Sequence, residues 1–182
     1  EKITNYLEEE GIDYLIYDGV SSEPTTDFVD AGLKKFKDGQ CDFLLAAGGG
    51  SPIDTAKAIS ILTENPEPMM NYEGIDNVPK KGAPLVAIPT TAGTGSEVTI
   101  FTIIANTERN VKMLIGDPNV MPTIAIDDPE LTKTMPQGLT AATGIDALTH
   151  AIEAYVSVKA QPLSDAMALS AIDLISNNLR QS

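Results

Sequence analysis

Residues 48–51, Gly-Gly-Gly-Ser, join an apolar run to a segment with helical spacing. The run at residues 43–47 predicts a buried strand, and Ser51 followed by Pro52 predicts the N-cap and first position of a helix. Glycines let a ligand approach the backbone, and free amides with the helix dipole favour an anion. The stretch predicts an anion-binding turn; the alternative is a tight turn that binds nothing. Its spacing is not that of a Walker A loop, and Lys57 falls inside the helix, so cleavage of ATP is disfavoured.

A second stretch rich in small polar residues, residues 89–99, follows the apolar strand predicted at residues 85–88. It contains four threonines, a serine and two glycines, and we call it the hydroxyl loop. Loops that follow the carboxyl ends of parallel strands line the ligand crevice of an α/β sheet. We therefore expect this loop and the glycine turn to form one cofactor site. The alternative is a polar turn in which Thr94 or Ser96 caps a short helix.

Asp146 and His150, four residues apart, share one face of a predicted helix, and His150 is the only histidine of the sequence. A carboxylate oxygen and an imidazole nitrogen at this spacing can bind one metal ion. The alternative is an ordinary hydrogen bond within the helix. Glu153 is a candidate third ligand, although glutamate on a helix is usually solvated. The sequence thus predicts two ligands of an incomplete metal site.

The composition limits the class of protein. The 182 residues carry a formal net charge of -14 and are 42% hydrophobic, with a pI near 4.2. Such acidity argues against nucleic-acid binding. No apolar run is long enough to span a membrane and no basic-apolar signal opens the chain, so we expect a cytoplasmic protein without a membrane partner. The single cysteine, Cys41, is expected to pack rather than react.

Strands alternate with helices in the first two thirds of the chain, which predicts a parallel α/β sheet. The expected strands are residues 14–17, 43–47, 85–88, 98–105, 111–115 and 123–126, the fourth and fifth joined as a hairpin. The expected helices are residues 2–10, 27–38, the segment that follows the glycine turn, a short one at 129–134, and long ones at 138–156 and 163–180. Residues 64–83 are expected to be a surface loop. Because only helices follow residue 128, we expect one domain over residues 1–128 and the start of another over 129–182.

Three motifs in order make the chain resemble the iron-containing (group III) alcohol dehydrogenases. They are Gly-Gly-Gly-Ser-Pro-x-Asp-Thr-x-Lys, Pro-Thr-Thr-Ala-Gly-Thr-x-x-Glu-Val-Thr and Ala-Ala-Thr-Gly-x-Asp-Ala-Leu-Thr-His-Ala-Ile-Glu-Ala-Tyr. The chain is most similar to members of the lactaldehyde reductase and butanol dehydrogenase type. The resemblance implies a Rossmann-like, parallel-sheet nucleotide-binding domain, its first strand missing, followed by the first helices of an all-α metal-binding domain.

The resemblance also implies an NAD(P)-dependent, metal-dependent alcohol dehydrogenase or aldehyde reductase acting on a small primary alcohol or aldehyde. The residues implied to bind the cofactor are Gly49, Gly50 and Ser51 at the pyrophosphate, with Thr90, Thr91, Thr99, Lys112 and Leu139 elsewhere. Asp146 and His150 are implied to bind Fe²⁺, or Zn²⁺ in its place. Glu23 stands where relatives often have asparagine, and its carboxylate would disfavour the 2′-phosphate of NADP, so NAD is preferred.

The resemblance places the family's first strand before Glu1 and two further histidine ligands beyond Ser182. We therefore expect this piece to be inactive by itself, with no catalytic residues beyond the two metal ligands. Two other functions are open: a nucleotide-binding module without chemistry, and an assembly in which two chains cover each other's exposed helices. The second is one form of the homo-oligomer, a dimer, that we expect.

Overall fold

The computed structural model describes residues 2–66 and 68–182. Its α-helices, numbered along the chain, are α1 (Lys2–Glu9), α2 (Thr26–Asp38), α3 (Gly50–Glu64), α4 (Gln137–Val156) and α5 (Pro162–Asn178). Its β-strands are β1 (Leu44–Gly48), β2 (Gly74–Ile75), β3 (Leu85–Pro89), β4 (Phe101–Asn106), β5 (Val111–Gly116) and β6 (Ile124–Ala125). The α-helical segments match the sequence-based expectation to within a few residues at each end.

The first sheet is parallel, with strand order β1-β3-β6. Leu44 pairs with Leu85 at one end of β1 and Gly48 pairs with Pro89 at the other. Small and branched apolar residues fill this sheet, and Ala87 of β3 is fully buried. Helix α3 connects β1 to the segment before β3 and packs against both strands. The parallel α/β sheet expected from the alternating pattern is therefore confirmed, and it brings the ends of β1 and β3 to the same edge.

The second sheet, of order β2-β5-β4, contains the predicted hairpin. Strands β4 and β5 pair antiparallel along their whole length, from Phe101 with Gly116 to Asn106 with Val111. Their inward side chains, including the fully buried Ile104, join the core formed with α2 and α3. Helix α3 therefore packs against both sheets, so it is the element whose position sets theirs.

Residues 14–17 do not form the strand that was predicted. Leu15 and Ile16 are more than half exposed, and the segment pairs with no strand in the part of the chain that the structure describes. The segment is held instead by hydrogen bonds to α2. The Tyr17 hydroxyl donates a hydrogen bond to the Phe28 carbonyl, and the Lys35 ammonium group donates one to the Ile16 carbonyl. The apolar spacing was right for a strand, but a strand also needs a neighbour for its backbone groups.

Ser51 is not the N-cap of α3. The helix begins at Gly50 with Gly49 as its cap, and Ile53 N lies 3.4 Å from Gly49 O in the first turn. Pro52 is tolerated because the amides of a first turn have no partner inside the helix. The helix therefore starts two residues closer to the sheet than the sequence predicts, with Gly50 rather than Pro52 as its first residue.

Residues 64–83 are only partly the surface loop that was predicted. Met69, Tyr72 and Val78 are buried, and the segment contains a 3₁₀ helix, Met69–Tyr72, together with β2. The prolines and glycines of the segment indicated a loop correctly, but its apolar side chains close one side of the core. Gly82 is pressed so closely against α3 that a Cβ there would lie 1.6 Å from the Ser60 carbonyl oxygen.

Helices α4 and α5 pack against each other through small residues. Ala151 and Ala168 are buried, and a Cβ on Gly144 would lie 2.3 Å from a methyl carbon of Leu179. Apolar side chains elsewhere on this pair are exposed, and so is Val158 in the connection between the two helices. A domain boundary near residue 128 and a cytoplasmic location remain predictions. The described helices include none that combines the length and apolarity needed to cross a bilayer.

We predict that Gly82→Ala destabilises the protein by about 3 kcal/mol, because the new methyl group would overlap a helix carbonyl that cannot move without disturbing α3. Gly138→Ala is the matched control, since a Cβ at Gly138 meets nothing within 4 Å. Urea denaturation of the two variants measures the difference. Equal unfolding midpoints would show that residues 64–83 are not packed against α3.

Candidate cofactor and metal site

The glycine turn joins the carboxyl end of β1 to the N-terminus of α3. Gly49 is extended, with φ -78° and ψ -165°, and no side chain caps the helix. The first-turn amides at Gly50 and Ser51 have no partner within the helix, and the helix dipole adds positive potential at the same point. This is the geometry in which a helix N-terminus binds a phosphate.

The hydroxyl loop lies directly against the glycine turn. Thr90 N donates to Gly48 O at 2.9 Å, which continues the pairing of β1 and β3 beyond the sheet. A Cβ on Gly49 would lie 3.1 Å from Thr91 Oγ1, and one on Gly50 would lie 3.2 Å from Thr94 Cγ2. The structure thus brings the two predicted cofactor loops together at one edge of the parallel sheet. Larger residues at either glycine would push the loops apart.

The other side of the hydroxyl loop touches α4. Gly93 has φ +135°, a conformation that favours glycine, and a Cβ there would lie 2.3 Å from the Thr143 carbonyl oxygen. Thr143 is one helical turn before Asp146. The loop therefore links the helix that begins at the glycine turn to the helix that carries the two candidate metal ligands.

Asp146 and His150 lie side by side on α4. His150 Nε2 is 3.8 Å from Asp146 Oδ1, and the two side chains are 59% and 49% exposed. This separation is too long for the hydrogen bond that was the alternative interpretation, so both atoms are free to share another partner. Within the described residues, no group of three His, Cys, Asp or Glu side chains is arranged to bind a metal ion, so Glu153 does not complete a site. The pair fits the role of two ligands to one divalent ion.

Lys57 is fully buried beneath the hydroxyl loop. The sequence analysis had considered this residue only as a possible ATP-binding lysine and had disfavoured that role. Lys57 Nζ donates to Thr99 O at 3.0 Å, Thr99 Oγ1 at 3.1 Å and Phe101 O at 2.9 Å. Burial lowers the pKa of Lys57 to about 8, and the charges of Asp54 and Glu97 oppose this shift. The ammonium group therefore holds the end of the loop where it enters β4.

Asp54, one turn earlier on α3, holds the preceding part of the same loop. Its carboxylate accepts hydrogen bonds from Ser96 Oγ and, at 3.1 Å, from Ile103 N. Its backbone carbonyl accepts a hydrogen bond from Thr102 Oγ1 at 2.9 Å. Burial raises the pKa of Asp54, while these hydrogen bonds and the charge of Lys57 act in the opposite direction. We call the set of bonded residues the helix clamp: Asp54 and Lys57 of α3 with Ser96, Thr99, Phe101, Thr102 and Ile103.

The remaining predicted cofactor residues, Lys112 and Leu139, lie on other elements of the fold. Lys112, on β5, forms an exposed ion pair with Glu23 in the loop before α2. Leu139 is partly exposed in the first turn of α4. The sequence had named Lys112 and Glu23 for separate reasons, and the structure makes them neighbours.

Two cavities flank the hydroxyl loop. One of about 570 Å³ lies between the loop and the α4–α5 pair and is lined by Gly93, Thr143 and the side chain of Leu179. The other, of about 320 Å³, lies where β3 and β6 end and includes Thr91 and Asp127. Their sizes are in the range of small-molecule sites. The residues that line these two cavities include none of residues 48–51, so the cavities offer space along the hydroxyl loop and not at the glycine turn.

We predict that the free energy of unfolding contributed by Lys57 rises between pH 8 and pH 10. The pKa of Lys57 is lower in the folded protein than its usual 10.5, so between these two values the unfolded chain binds the proton more strongly than the folded protein does. The free energy of unfolding therefore rises as the pH rises through this range. Urea denaturation of the unmutated protein and of Lys57→Met from pH 7 to pH 9.5 tests this. The stability difference should move in favour of the unmutated protein as the pH rises; a constant difference would contradict the lowered pKa.

Comparison with known proteins identifies the family of the chain. The model of the iron-containing alcohol dehydrogenase family matches residues 1–129, and that of the C-terminal part of the Fe-containing alcohol dehydrogenase family matches residues 140–182. Alcohol dehydrogenase 4 of Saccharomyces cerevisiae is 48% identical over 178 residues, which are 98% of this chain and 47% of that protein. Lactaldehyde reductase of Escherichia coli is 44% identical over 183 residues, which cover 100% of this chain and 48% of the reductase.

Solved structures give the same result. The crystal structure of 1,3-propanediol oxidoreductase has a TM-score of 0.97 at 46% identity, over 99% of this chain and 47% of that one. Sulfoacetaldehyde reductase from Bifidobacterium kashiwanohense, in complex with NAD⁺, has a TM-score of 0.86 at 34% identity, over 98% and 50%. The chain spans about half the length of the curated relatives it matches. The predicted resemblance and the fold class it implied are confirmed, and the chain belongs to the iron-containing alcohol dehydrogenase family.

Proposed function

We propose that the chain forms the cofactor cleft and supplies two metal ligands of an NAD-dependent, metal-dependent alcohol dehydrogenase. The reaction would interconvert a small primary alcohol and its aldehyde. One observation carries this proposal: the hydroxyl loop touches the glycine turn on one side and Thr143, a turn before Asp146, on the other. A ligand lying along this loop would join an anion site to a metal site. The names of the relatives, alcohol dehydrogenase and lactaldehyde reductase, support it.

The glycine turn would bind the pyrophosphate of the cofactor. The amides of Gly50 and Ser51 provide the donors, and Gly49 lacks a side chain that would shield them. The threonines of the hydroxyl loop, Thr90 and Thr91, would supply hydroxyl groups along the rest of the molecule. When bound, the nicotinamide ring accepts or donates the hydride, and the protein contributes its orientation.

Asp146 and His150 would hold the metal ion, with Fe²⁺ proposed and Zn²⁺ as the alternative. Their donor atoms face the same side of α4 and are exposed. A divalent ion in such a site polarises the oxygen of the alcohol or aldehyde. Because two donors do not complete a metal site, we propose that this 182-residue chain alone binds nucleotide without turning over an aldehyde. That behaviour also describes the second candidate function, a nucleotide-binding module, which differs in being indifferent to metal.

We expect NADH to bind saturably to the protein. The chain contains no tryptophan, so the fluorescence of NADH can be followed with little protein background. Gly49→Val places a branched side chain where even a Cβ lies 3.1 Å from Thr91 Oγ1, so it should raise the Kd at least tenfold while the urea midpoint shows that the variant is folded. An unchanged Kd for Gly49→Val would contradict the proposed cleft.

We expect Asp146→Asn to weaken Zn²⁺ binding by roughly tenfold or more, because a charged oxygen ligand becomes a neutral one. Asp173→Asn is the matched control: Asp173 is also exposed on a helix and bonds to Asn177. Isothermal titration with Zn²⁺, in the presence and absence of NADH, measures both variants. If the two variants bind Zn²⁺ equally well, Asp146 is not a ligand and the nucleotide-binding module becomes the better proposal.

We propose that Glu23 favours NADH over NADPH by occupying Lys112. The ion pair between these exposed side chains leaves Lys112 unavailable to a 2′-phosphate, and the carboxylate repels one. Glu23→Gln should therefore lower the preference for NADH roughly fivefold, as expected for removing one like charge near the surface. Asp38→Asn, which breaks the exposed ion pair with Lys34, is the control and should leave the preference unchanged. An unaltered preference in Glu23→Gln would place the adenosine elsewhere.

The proposed assembly is a homodimer. Its support is the exposed apolar surface of α4 and α5, which includes Val156, Leu163 and Leu174. Exposed apolar surfaces of this kind are usually buried against a second copy of the chain or against another part of a protein. Light scattering at several protein concentrations measures the assembly directly.

A further inference from the structure

We propose that the helix clamp positions the hydroxyl loop for cofactor binding, with Asp54 and Lys57 acting as positioning residues. This inference rests on the proposed function, because it concerns how the same cleft is set. Neither residue is expected to touch the cofactor. Their role would be to place the loop's hydroxyl groups at the correct distance from the glycine turn.

The first step of the argument is that one helix controls both sides of the cleft. The first turn of α3 presents the amides of Gly50 and Ser51, and the next turns carry Asp54 and Lys57 on one face. Residues three apart on a helix lie next to each other. A single rigid element therefore holds the anion-binding turn and the second half of the hydroxyl loop in a set relation.

The second step is that this half of the loop is held chiefly through its bonds to the helix. Gly93 and Gly95 both have positive φ, a backbone conformation that favours glycine, so the loop before Ser96 is not a regular strand or helix. Within the 3₁₀ helix Ser96–Val98, Val98 N donates to Gly95 O, which is a contact internal to the loop. The described hydrogen bonds that fasten Ser96 and Thr99 to other elements are those of the helix clamp. Strands β3 and β6 also pack against residues 96–98.

The third step concerns cost. Asp54 is partly buried and Lys57 completely so, yet among the described ion pairs none joins them directly; each bonds to the hydroxyl loop and to β4 instead. Buried charges are expensive, and apolar residues of similar size often serve stability equally well. What charged groups add is direction, because each hydrogen bond specifies where its partner must lie. The arrangement is therefore suited to setting loop geometry rather than to adding stability.

The test compares Ser96, in the hydroxyl loop, with Ser60, which is part of α3 itself. Ser96 and Ser60 are both buried, 6% and 7% exposed, and each donates one hydroxyl hydrogen bond. Ser96 donates to Asp54 within the helix clamp, whereas Ser60 donates to the Ala83 carbonyl at 2.7 Å, outside it. Ser96→Ala and Ser60→Ala are therefore the same chemical change at equal burial, and they differ only in whether the clamp is cut.

We expect both variants to lose stability, while only Ser96→Ala raises the Kd for NADH, by about fivefold or more. Lys57→Met, which removes three bonds, should raise it further. Equal Kd values for Ser96→Ala and the unmutated protein would overturn the proposal. So would a folded Lys57→Met variant of normal affinity. If Lys57→Met does not fold, the two serine variants decide the question.

A second readout separates this inference from the proposed function. Amide hydrogen exchange at Val98 and Ile103 reports the position of the loop without any cofactor. Faster exchange at these amides in Ser96→Ala than in Ser60→Ala is expected. If NADH fails to bind the unmutated protein, the proposed function fails, and the exchange comparison still judges the clamp. If exchange does not differ between the serine variants, the clamp does not hold the loop, whatever the protein binds.

Discussion

The arrangement of this protein depends on two charged side chains on one face of α3, Lys57, which is fully buried, and Asp54, which is partly buried. Lys57 donates three hydrogen bonds to Thr99 and Phe101, and the Asp54 carboxylate accepts hydrogen bonds from Ser96 and Ile103. These bonds connect α3, which packs on the parallel sheet, to β4, the first strand of the hairpin. Because the bonds are directional and most of them are partly buried, they define the separation between two layers that apolar packing alone would leave less specific.

The same helix gives the candidate cleft its chemistry. Its N-terminus faces the end of the parallel sheet without a side-chain cap, and the hydroxyl loop comes within contact distance of Gly49 and Gly50. On its far side the loop passes against α4, where Gly93 leaves room for the Thr143 carbonyl. A short loop therefore connects an anion site, a row of hydroxyl groups and the helix with Asp146 and His150. This continuity is what a dinucleotide enzyme requires, since the reactive ring must reach the metal while the phosphates stay at the turn.

Sequence reasoning succeeded where the signal was local. The glycine turn, the hydroxyl loop and the spacing of Asp146 and His150 could each be read from neighbouring residues, and family motifs then joined them. It failed where the outcome depended on a partner far along the chain. Residues 14–17 had a strand pattern without a strand to pair with, and the helix start at Gly50 depended on contacts at the sheet edge rather than on Ser51 as a cap. The burial of Met69 and Tyr72 likewise came from packing that the prolines around them concealed.

The helix clamp shows which features of the protein follow from the sequence and which depend on the tertiary structure. By itself, the sequence determined the α-helices and the strands of the parallel sheet, the spacing of Asp54 and Lys57 one turn apart on a helix, and the family that the motifs resemble. It did not determine that Lys57 would be fully buried under Thr99, 42 residues away, or that Glu23 would meet Lys112. Helical periodicity and caps act over one or two turns, so they can be read from the chain. The partner of a buried charge is chosen by the packing of whole sheets and helices, and only the tertiary structure decides it.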